Sequence, residues 1–316
     1  MMVKSKIITI KNRESNVVLL DYFADVKAGL STGDNQEYLY KEADEIGPYR
    51  IVDPKKILTK NEIDEIIKND KSRLKIINNG IPKNLFKGKT IVPYDKGGSS
   101  DIDEGRLSNY YSPTKFYIDW SEKNVKRMKT MTIAERKRVD GEKNIPKSDE
   151  NKIAAVFRNT GYYFRPGITY SGVGLYVPTY RINSSTIFEH KAGSGIFIKK
   201  EFESLFSYKF LIGILCSKLI RYLQRNFINN TVNFQVEDVK KTPIALCDNI
   251  LKIKIEKLVE AIINKQKKDP SYNYQNLEQM EIDKTVYEIY GFRQDLVKEI
   301  EEWYARRYPK LRVDET

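Results

Sequence analysis

The spacing of apolar residues changes character near residue 201. Before it, apolar positions fall in short runs bounded by Gly, Pro, Asn and Ser, the pattern of half-buried strands. Such runs predict strands over Lys6–Ile10, Tyr49–Val52, Thr90–Tyr94, Lys115–Trp120, Ile153–Arg158, Tyr162–Phe164, Gly174–Tyr180, Thr186–Glu189 and Gly195–Lys199. One early helix interrupts them in "LTKNEIDEIIKND". There Thr59 and Glu62 have capping-box spacing, and Ile63, Ile66 and Ile67 form one stripe. After Glu201, apolar residues recur at three and four. Leu211, Ile214, Leu215, Leu219, Tyr222 and Leu223 predict a largely buried helix in "SYKFLIGILCSKLIRYLQRNF". Ile255, Leu258, Val259, Ile262 and Ile263 line one face of a second, "NILKIKIEKLVEAIINKQKK". A last helix, about Glu281 to Arg307, carries Ile289, Leu296, Ile300 and Trp303. The fold class is therefore mixed α/β, with an α/β domain over 1–245 and a helical region over 246–316.

One stretch fits neither period. Residues 121–152 have few apolar side chains and carry ten Lys/Arg against six Asp/Glu. This predicts an exposed basic arm or insertion, part of it helical, that serves either as a solvated linker or as a surface facing a polyanion.

Charge sharpens that choice. The 316 residues carry a net charge of +12, which raises affinity for polyanions, of which nucleic acid is the commonest inside cells. Simple solubility of a lysine-rich chain is the plainer alternative. No apolar run approaches the ~20 residues of a membrane helix, and "MMVKSKIITI" has no signal-peptide core, so a cytoplasmic protein without membrane contact is expected. Cys216 and Cys247 lie far apart, and His190 is the single histidine. That composition offers neither a disulfide framework nor a Cys/His zinc site.

Catalytic signatures are missing. Methyl transfer to a base amine typically uses Asn/Asp-Pro-Pro-Tyr/Phe, yet no two of the 11 prolines are adjacent. The glycine turn for S-adenosylmethionine and the Walker lysine are absent too. Gly172-Val173-Gly174 is followed by Leu-Tyr-Val-Pro, a poor start for a phosphate-binding helix. Glu189-His190-Lys191 has the Glu-x-Lys form of metal nucleases, with Asp149 upstream, but such tripeptides are common by chance. No catalytic residue, metal ligand or cofactor is assigned to this chain.

Binding-type segments remain. "KAGLSTGDNQEY" contributes Lys27, Ser31, Thr32 and Asn35, and "VPYDKGGSS" contributes Lys96, Gly97 and Gly98. "GRLSNYYSPTKFYIDW" adds Arg106, Asn109, Tyr110, Tyr111 and Lys115. "FRNTGYYFRPGITYSGVGLY" adds Arg158, Asn159, Tyr163, Arg165, Thr169, Tyr170 and Ser171, and Arg181 and Lys191 follow. Arg and Asn pair with base edges, Tyr, Ser and Thr with phosphates or bases, and glycines let backbone approach a ligand. Equally, alternate tyrosines suit half-buried strands and glycines suit turns. In the "FRNTG" segment Arg158, Arg165, Thr169 and Ser171 are the expected DNA-facing residues.

The order of these segments carries a family resemblance. "DYFADVKAGLSTGDNQEYLY", "YDKGG", "FYIDW", "FRNTGYYFRPGITYSGVG", "STIFEHKAGSGIF" and "FINNTVNFQVEDVKKTPI" follow one another. Together they resemble the C-terminal target-recognition region of adenine-specific DNA methyltransferases, of the type IIG restriction–modification and BREX phage-defence kinds. In that family a Lys-Gly-Gly turn precedes a strand ending in Trp and then a Phe-x-x-Gly-Ile-Thr-Trp/Tyr-Ser block. Here these are Lys96-Gly97-Gly98, Trp120 and Phe164 to Ser171. The tail "VYEIYGF … IEEWYARRYPKL" is similar to the family's C-terminal helices, and Asn233 to Ile244 to the end of type I specificity domains. One departure is Arg106-Leu-Ser-Asn-Tyr-Tyr where the family has Arg-Lys-Trp-Tyr-Gly-Asn.

The resemblance implies a recognition subunit that grips double-stranded DNA and directs a separate catalytic methyltransferase chain, which would hold S-adenosylmethionine. The helical region 246–316 would dock that partner. Three alternatives stay open: a fragment of a fused methyltransferase–endonuclease, a metal-dependent nuclease around Glu189 and Lys191, and a protein-interaction module within a defence system.

Overall fold

The computed structural model describes residues 8–10, 13–43, 47–69, 73–97, 107–174, 176, 178–190 and 193–311. It is a mixed α/β fold built around two sheets. Their strands, in chain order, are β1 (Ala24–Lys27), β2 (Leu39–Lys41), β3 (Arg50–Ile51), β4 (Ile91–Asp95), β5 (Phe116–Asp119), β6 (Gly167–Ser171), β7 (Thr179–Asn183), β8 (Ile187–Phe188) and β9 (Gly195–Ile198). One sheet has the order β7-β6-β9-β1 and is antiparallel throughout. The other runs β8-β4-β5-β2-β3, with parallel pairs at its two edges.

Side-chain alternation along β9 explains how the sheets share the interior. Ile196 and Ile198 face one apolar core, while Phe197 between them faces the other. The first core joins β1, β6, β7 and β9 to the later helices. The second packs the β4–β5 sheet against α1 (Lys60–Asn69), α2 (Arg73–Asn79) and α3 (Glu122–Thr130). Ile63 is the buried anchor of α1, and the Thr59–Glu62 capping box forms, with the Glu62 N–H donating to Thr59 Oγ1 at 3.3 Å and the Thr59 N–H to Glu62 at 2.8 Å.

Residues 121–152 are not a free arm. They form α3 and α4 (Ile133–Val139), and Val125, Met128, Met131 and Ala134 are buried. These four recur every three residues, so one thin stripe packs while the lysines stay in water. Ser121 caps α3, and a full capping box closes α4: the Glu135 N–H donates to Thr132 Oγ1 at 3.1 Å and the Thr132 N–H to Glu135 at 2.9 Å. Thr132→Ala is expected to destabilise the protein by about 1 kcal/mol, read as a lower urea midpoint, while Thr132→Ser keeps the wild-type value.

Besides three helices of four or five residues, the later part of the chain carries α5 (Tyr208–Leu215), α6 (Lys218–Leu223), α7 (Asn249–Lys268), α8 (Met280–Tyr290) and α9 (Gln294–Arg307). The sequence pattern predicts one helix over 207–227, but the chain breaks at Cys216 and restarts with Ser217 as N-cap, its Oγ accepting from the Ile220 N–H at 3.3 Å. The predicted last helix breaks likewise at Gly291, which takes φ +66° as a left-handed C-cap. Gly213 lets α5 lie against α7, since a Cβ there would sit 2.3 Å from Ile255. Residues of 246–311 share their core with the sheet: Ile255, Val259, Ile262 and Val286 belong to the same cluster as Ile168, Tyr170 and Ile196. No strand forms at Tyr162–Phe164: Tyr162 ends a 3-10 helix, Thr160–Tyr162, and Phe164 follows in a turn at φ +64°. Among the described residues no helix is long and apolar enough to cross a membrane.

Candidate nucleic-acid interface

The end of β4 brings two distant glycine turns together. Gly97 follows β4 with φ +95°, a conformation that suits glycine. Gly193, just before β9, lies so near that a Cβ on it would stand 2.7 Å from the Asp95 carbonyl and 3.2 Å from the Gly97 nitrogen. Only glycine at 193 permits this approach.

Beneath the turns sits Asp95. Its Oδ1 accepts from Arg181 at 2.6 Å and from the Gly97 N–H at 2.9 Å, and its Oδ2 accepts from Thr169 at 2.6 Å and Asn183 at 3.0 Å. Arg181 also donates to Ser171 Oγ at 3.1 Å. β6 and β7 pair Thr169 with Arg181, so both face this carboxylate from adjacent strands. Burial pushes the Asp95 carboxyl up, but the Arg181 charge and the donated hydrogen bonds outweigh it and hold the pKa below the ordinary value. The network ties the antiparallel sheet to the first residues after β4.

A narrow cleft of about 40 Å³ opens beside this network, lined by Lys60, Lys96, Lys115 and Arg181 against one carboxylate, Asp95. That is space for a few waters or for phosphate oxygens, too little for a base. Lys96 donates to the Tyr49 hydroxyl and stands 4.4 Å from the Tyr49 ring and 5.1 Å from that of Phe116. Those contacts hold its ammonium at the rim. Burial lowers the Lys60 pKa, and nearby Asp95 and Asp64 only partly restore it. An entering anion would favour the charged form of Lys60. The cleft's chemistry is that of an anion seat.

The predicted binding residues divide sharply. Exposed or half-exposed are Lys27, Asn35, Lys96, Gly97, Tyr111, Lys115, Arg158, Asn159 and Arg165. Lys27 pairs with Asp25 at 3.2 Å, and Arg165 lies over the Tyr162 ring at 5.1 Å. Asn159 takes φ +49° and donates its amide to the Ala28 carbonyl at 2.8 Å. Thr32, Asn109, Thr169, Tyr170, Ser171 and Arg181 are instead buried. Thr32 donates to Asn35 Oδ1 at 2.7 Å, and Asn109 Oδ1 accepts from the Tyr180 N–H at 3.1 Å. Tyr170 packs against Tyr180 with ring centroids 6.0 Å apart. Thr169 and Ser171, expected to face DNA, instead help bury the Asp95–Arg181 pair, because β6 is covered on both faces and these two share the face toward Arg181. Gly98, Arg106 and Lys191 lie outside the described residues.

Lys60, Asp95 and Gly193 were not singled out by sequence pattern. Asp95 had one available signal, its place at a strand end directly before Lys-Gly. Nothing local marks its partner Arg181, 86 positions away. Of the nuclease candidates, Asp149 pairs with Lys137 at 3.2 Å on a short 3-10 turn. Among the described residues no group of three or more His, Cys, Asp or Glu side chains is placed to hold a metal. No family model matches the chain, and no curated protein matches it.

Proposed function

We propose that this chain is the DNA-recognition part of an adenine-methylating restriction or phage-defence system, directing a separate catalytic chain that carries S-adenosylmethionine. The observation that carries the reading is the lysine-lined cleft beside the paired Gly97 and Gly193 turns, on a chain of net charge +12. A duplex phosphate would sit against Lys60, Lys96 and Lys115, fixing register. Exposed Arg165, on the segment between β5 and β6, is the candidate for reading bases. The buried Asp95–Arg181 pair holds the turn rather than touching DNA.

The test is titration of duplex DNA at rising salt. Wild-type protein is expected to bind with a steep salt dependence, and Lys96→Ala with Lys115→Ala should weaken binding to every sequence and flatten the slope by about 2. Arg165→Ala, if Arg165 reads a base, should relax preference at one position by about 1–3 kcal/mol. Binding that is absent in wild type, or indifferent to salt, contradicts the proposal.

A further inference from the structure

The structure holds a second, larger cleft. Its volume is about 340 Å³, within the range of small-molecule sites, and it is walled by the end of β6, the start of β9 and the connection 229–240. The Val173 and Asn233 backbones bridge across it, and the Gly174 N–H donates to the Val232 carbonyl at 2.9 Å, so the walls are held by hydrogen bonds. Its lining is mixed in a specific way. Phe234 and the half-exposed Val173 supply apolar surface, and Asn233 and Gln235 supply amides with both donors and acceptors. Arg158 is exposed and, among the described residues, has no carboxylate within ion-pair distance. Glu237, the one carboxylate in the lining, is held by Lys240 at 2.6 Å.

We propose that this cleft binds one unpaired nucleobase with its adjoining phosphate. Apolar walls accept the faces of a planar ring, and side-chain amides match the mixed donor and acceptor edge of a base. Glu237 suits an exocyclic amine, which favours adenine or cytosine over thymine. The Arg158 guanidinium supplies the phosphate contact. Gly172, also in the lining, adds no side chain to it. The same chemistry is offered by a free nucleotide and by a base displaced from a strand. The inference stands on this cleft's own residues and does not need the duplex-recognition reading.

The experiment uses the full chain with three probes: adenosine monophosphate, a duplex with one bulged adenine, and the same duplex fully paired. Binding is followed by calorimetry and by ligand-observed NMR. A strand-borne base predicts at least fivefold tighter binding of the bulged than of the paired duplex. A free nucleotide predicts saturable binding of the monophosphate with no preference between duplexes. In either case Val173→Trp, which fills the cleft from its exposed rim, and Arg158→Ala should each lower that binding at least fivefold, with thermal melting unchanged. Asn233→Ala provides a second loss should the tryptophan variant fold poorly. If the monophosphate does not saturate and the two duplexes bind alike, the inference is overturned. It is overturned equally if the cleft variants bind as wild type does. Monophosphate binding without any duplex binding would leave this cleft standing and remove the duplex-recognition reading alone.

Discussion

Replacing Asp95 by alanine is expected to destabilise the protein by about 3–5 kcal/mol, the usual result of stripping the partner from a buried charge. Arg181 is only 3% exposed and its guanidinium is left facing Ser171 and a vacated site. Thr169, Asn183 and the Gly97 N–H each lose an acceptor as well. Asp95→Asn should cost less but still be destabilising. Its carbonyl can serve Arg181 and Gly97, whereas its amide meets the Asn183 amide donor head-on. The pH dependence has a definite sign. Because the folded carboxyl is held below its ordinary value, its contribution is present above the unfolded pKa near 3.8 and is lost as pH falls through the folded pKa. Wild type and Asp95→Ala should therefore converge in stability at strongly acidic pH. Chemical unfolding at neutral pH and at acid pH checks both parts, and a gap that does not narrow in acid would argue against the ion pair as its source.

Asp283 should show the opposite sign. Burial first, and the Glu301 carboxylate second, push its pKa up to about 7, against the Lys218 charge and backbone N–H, which pull it down. Its Oδ1 accepts from the Lys218 N–H at 2.9 Å and from the Gln279 amide at 3.2 Å, while Oδ2 is buried without a partner. The unfolded carboxyl ionises near 3.8 and the folded one only near 7, so unfolding releases a proton throughout that window. Stability from this group is full below the unfolded pKa and declines as pH rises toward 7, by about 4 kcal/mol in total. Asp283→Asn removes the slope. The variant should match wild type near pH 4 and exceed it by a few kcal/mol at pH 8. Urea titrations at the two pH values decide, and parallel behaviour of the two proteins would sink this account. Gln279 also accepts from the Tyr110 hydroxyl at 2.7 Å, joining the turn before α8 to the segment beside β7.

Much of this architecture is readable from residue pattern. The helix over Asn249–Lys268 has the boundaries its apolar stripe predicts, and β4, β5, β8 and β9 fall within a residue or two of their predicted spans. Long, regular spacing survives because burial on one face leaves few alternatives. What pattern missed has identifiable causes. The 121–152 segment, expected as an exposed arm with part of it helical, hides its docking because four buried side chains suffice for it, and its caps, Ser121 and Thr132, are polar residues that also suit loops. The break at Cys216–Ser217 is a local capping decision inside an otherwise continuous apolar stripe. Tyr163 and Phe164 are apolar enough for a strand, but the positive φ at Asn159 and Phe164 brackets a turn between them.

The candidate site was legible in part, and for a reason of the same kind. Lys96, Gly97 and Lys115 line or border the anion cleft, as a glycine turn with flanking cations suggests. Thr169, Ser171 and Arg181 share the residue chemistry of base readers but point inward, since residue type alone does not say which face of a strand a side chain occupies. Their partner, Asp95, lies 74 to 88 positions away from Thr169, Arg181 and Asn183. Pairing at that range is a property of the fold, with no local trace.

The central claim is that this chain chooses where a partner methylates. The most direct measurement is a genome-wide map of adenine methylation in cells that carry the gene and in the same cells with it deleted. The account predicts that one sequence-defined set of modified adenines disappears on deletion and returns with the wild-type gene, but not with Lys96→Ala and Lys115→Ala combined. Modification that persists at the same sites without the chain would contradict it.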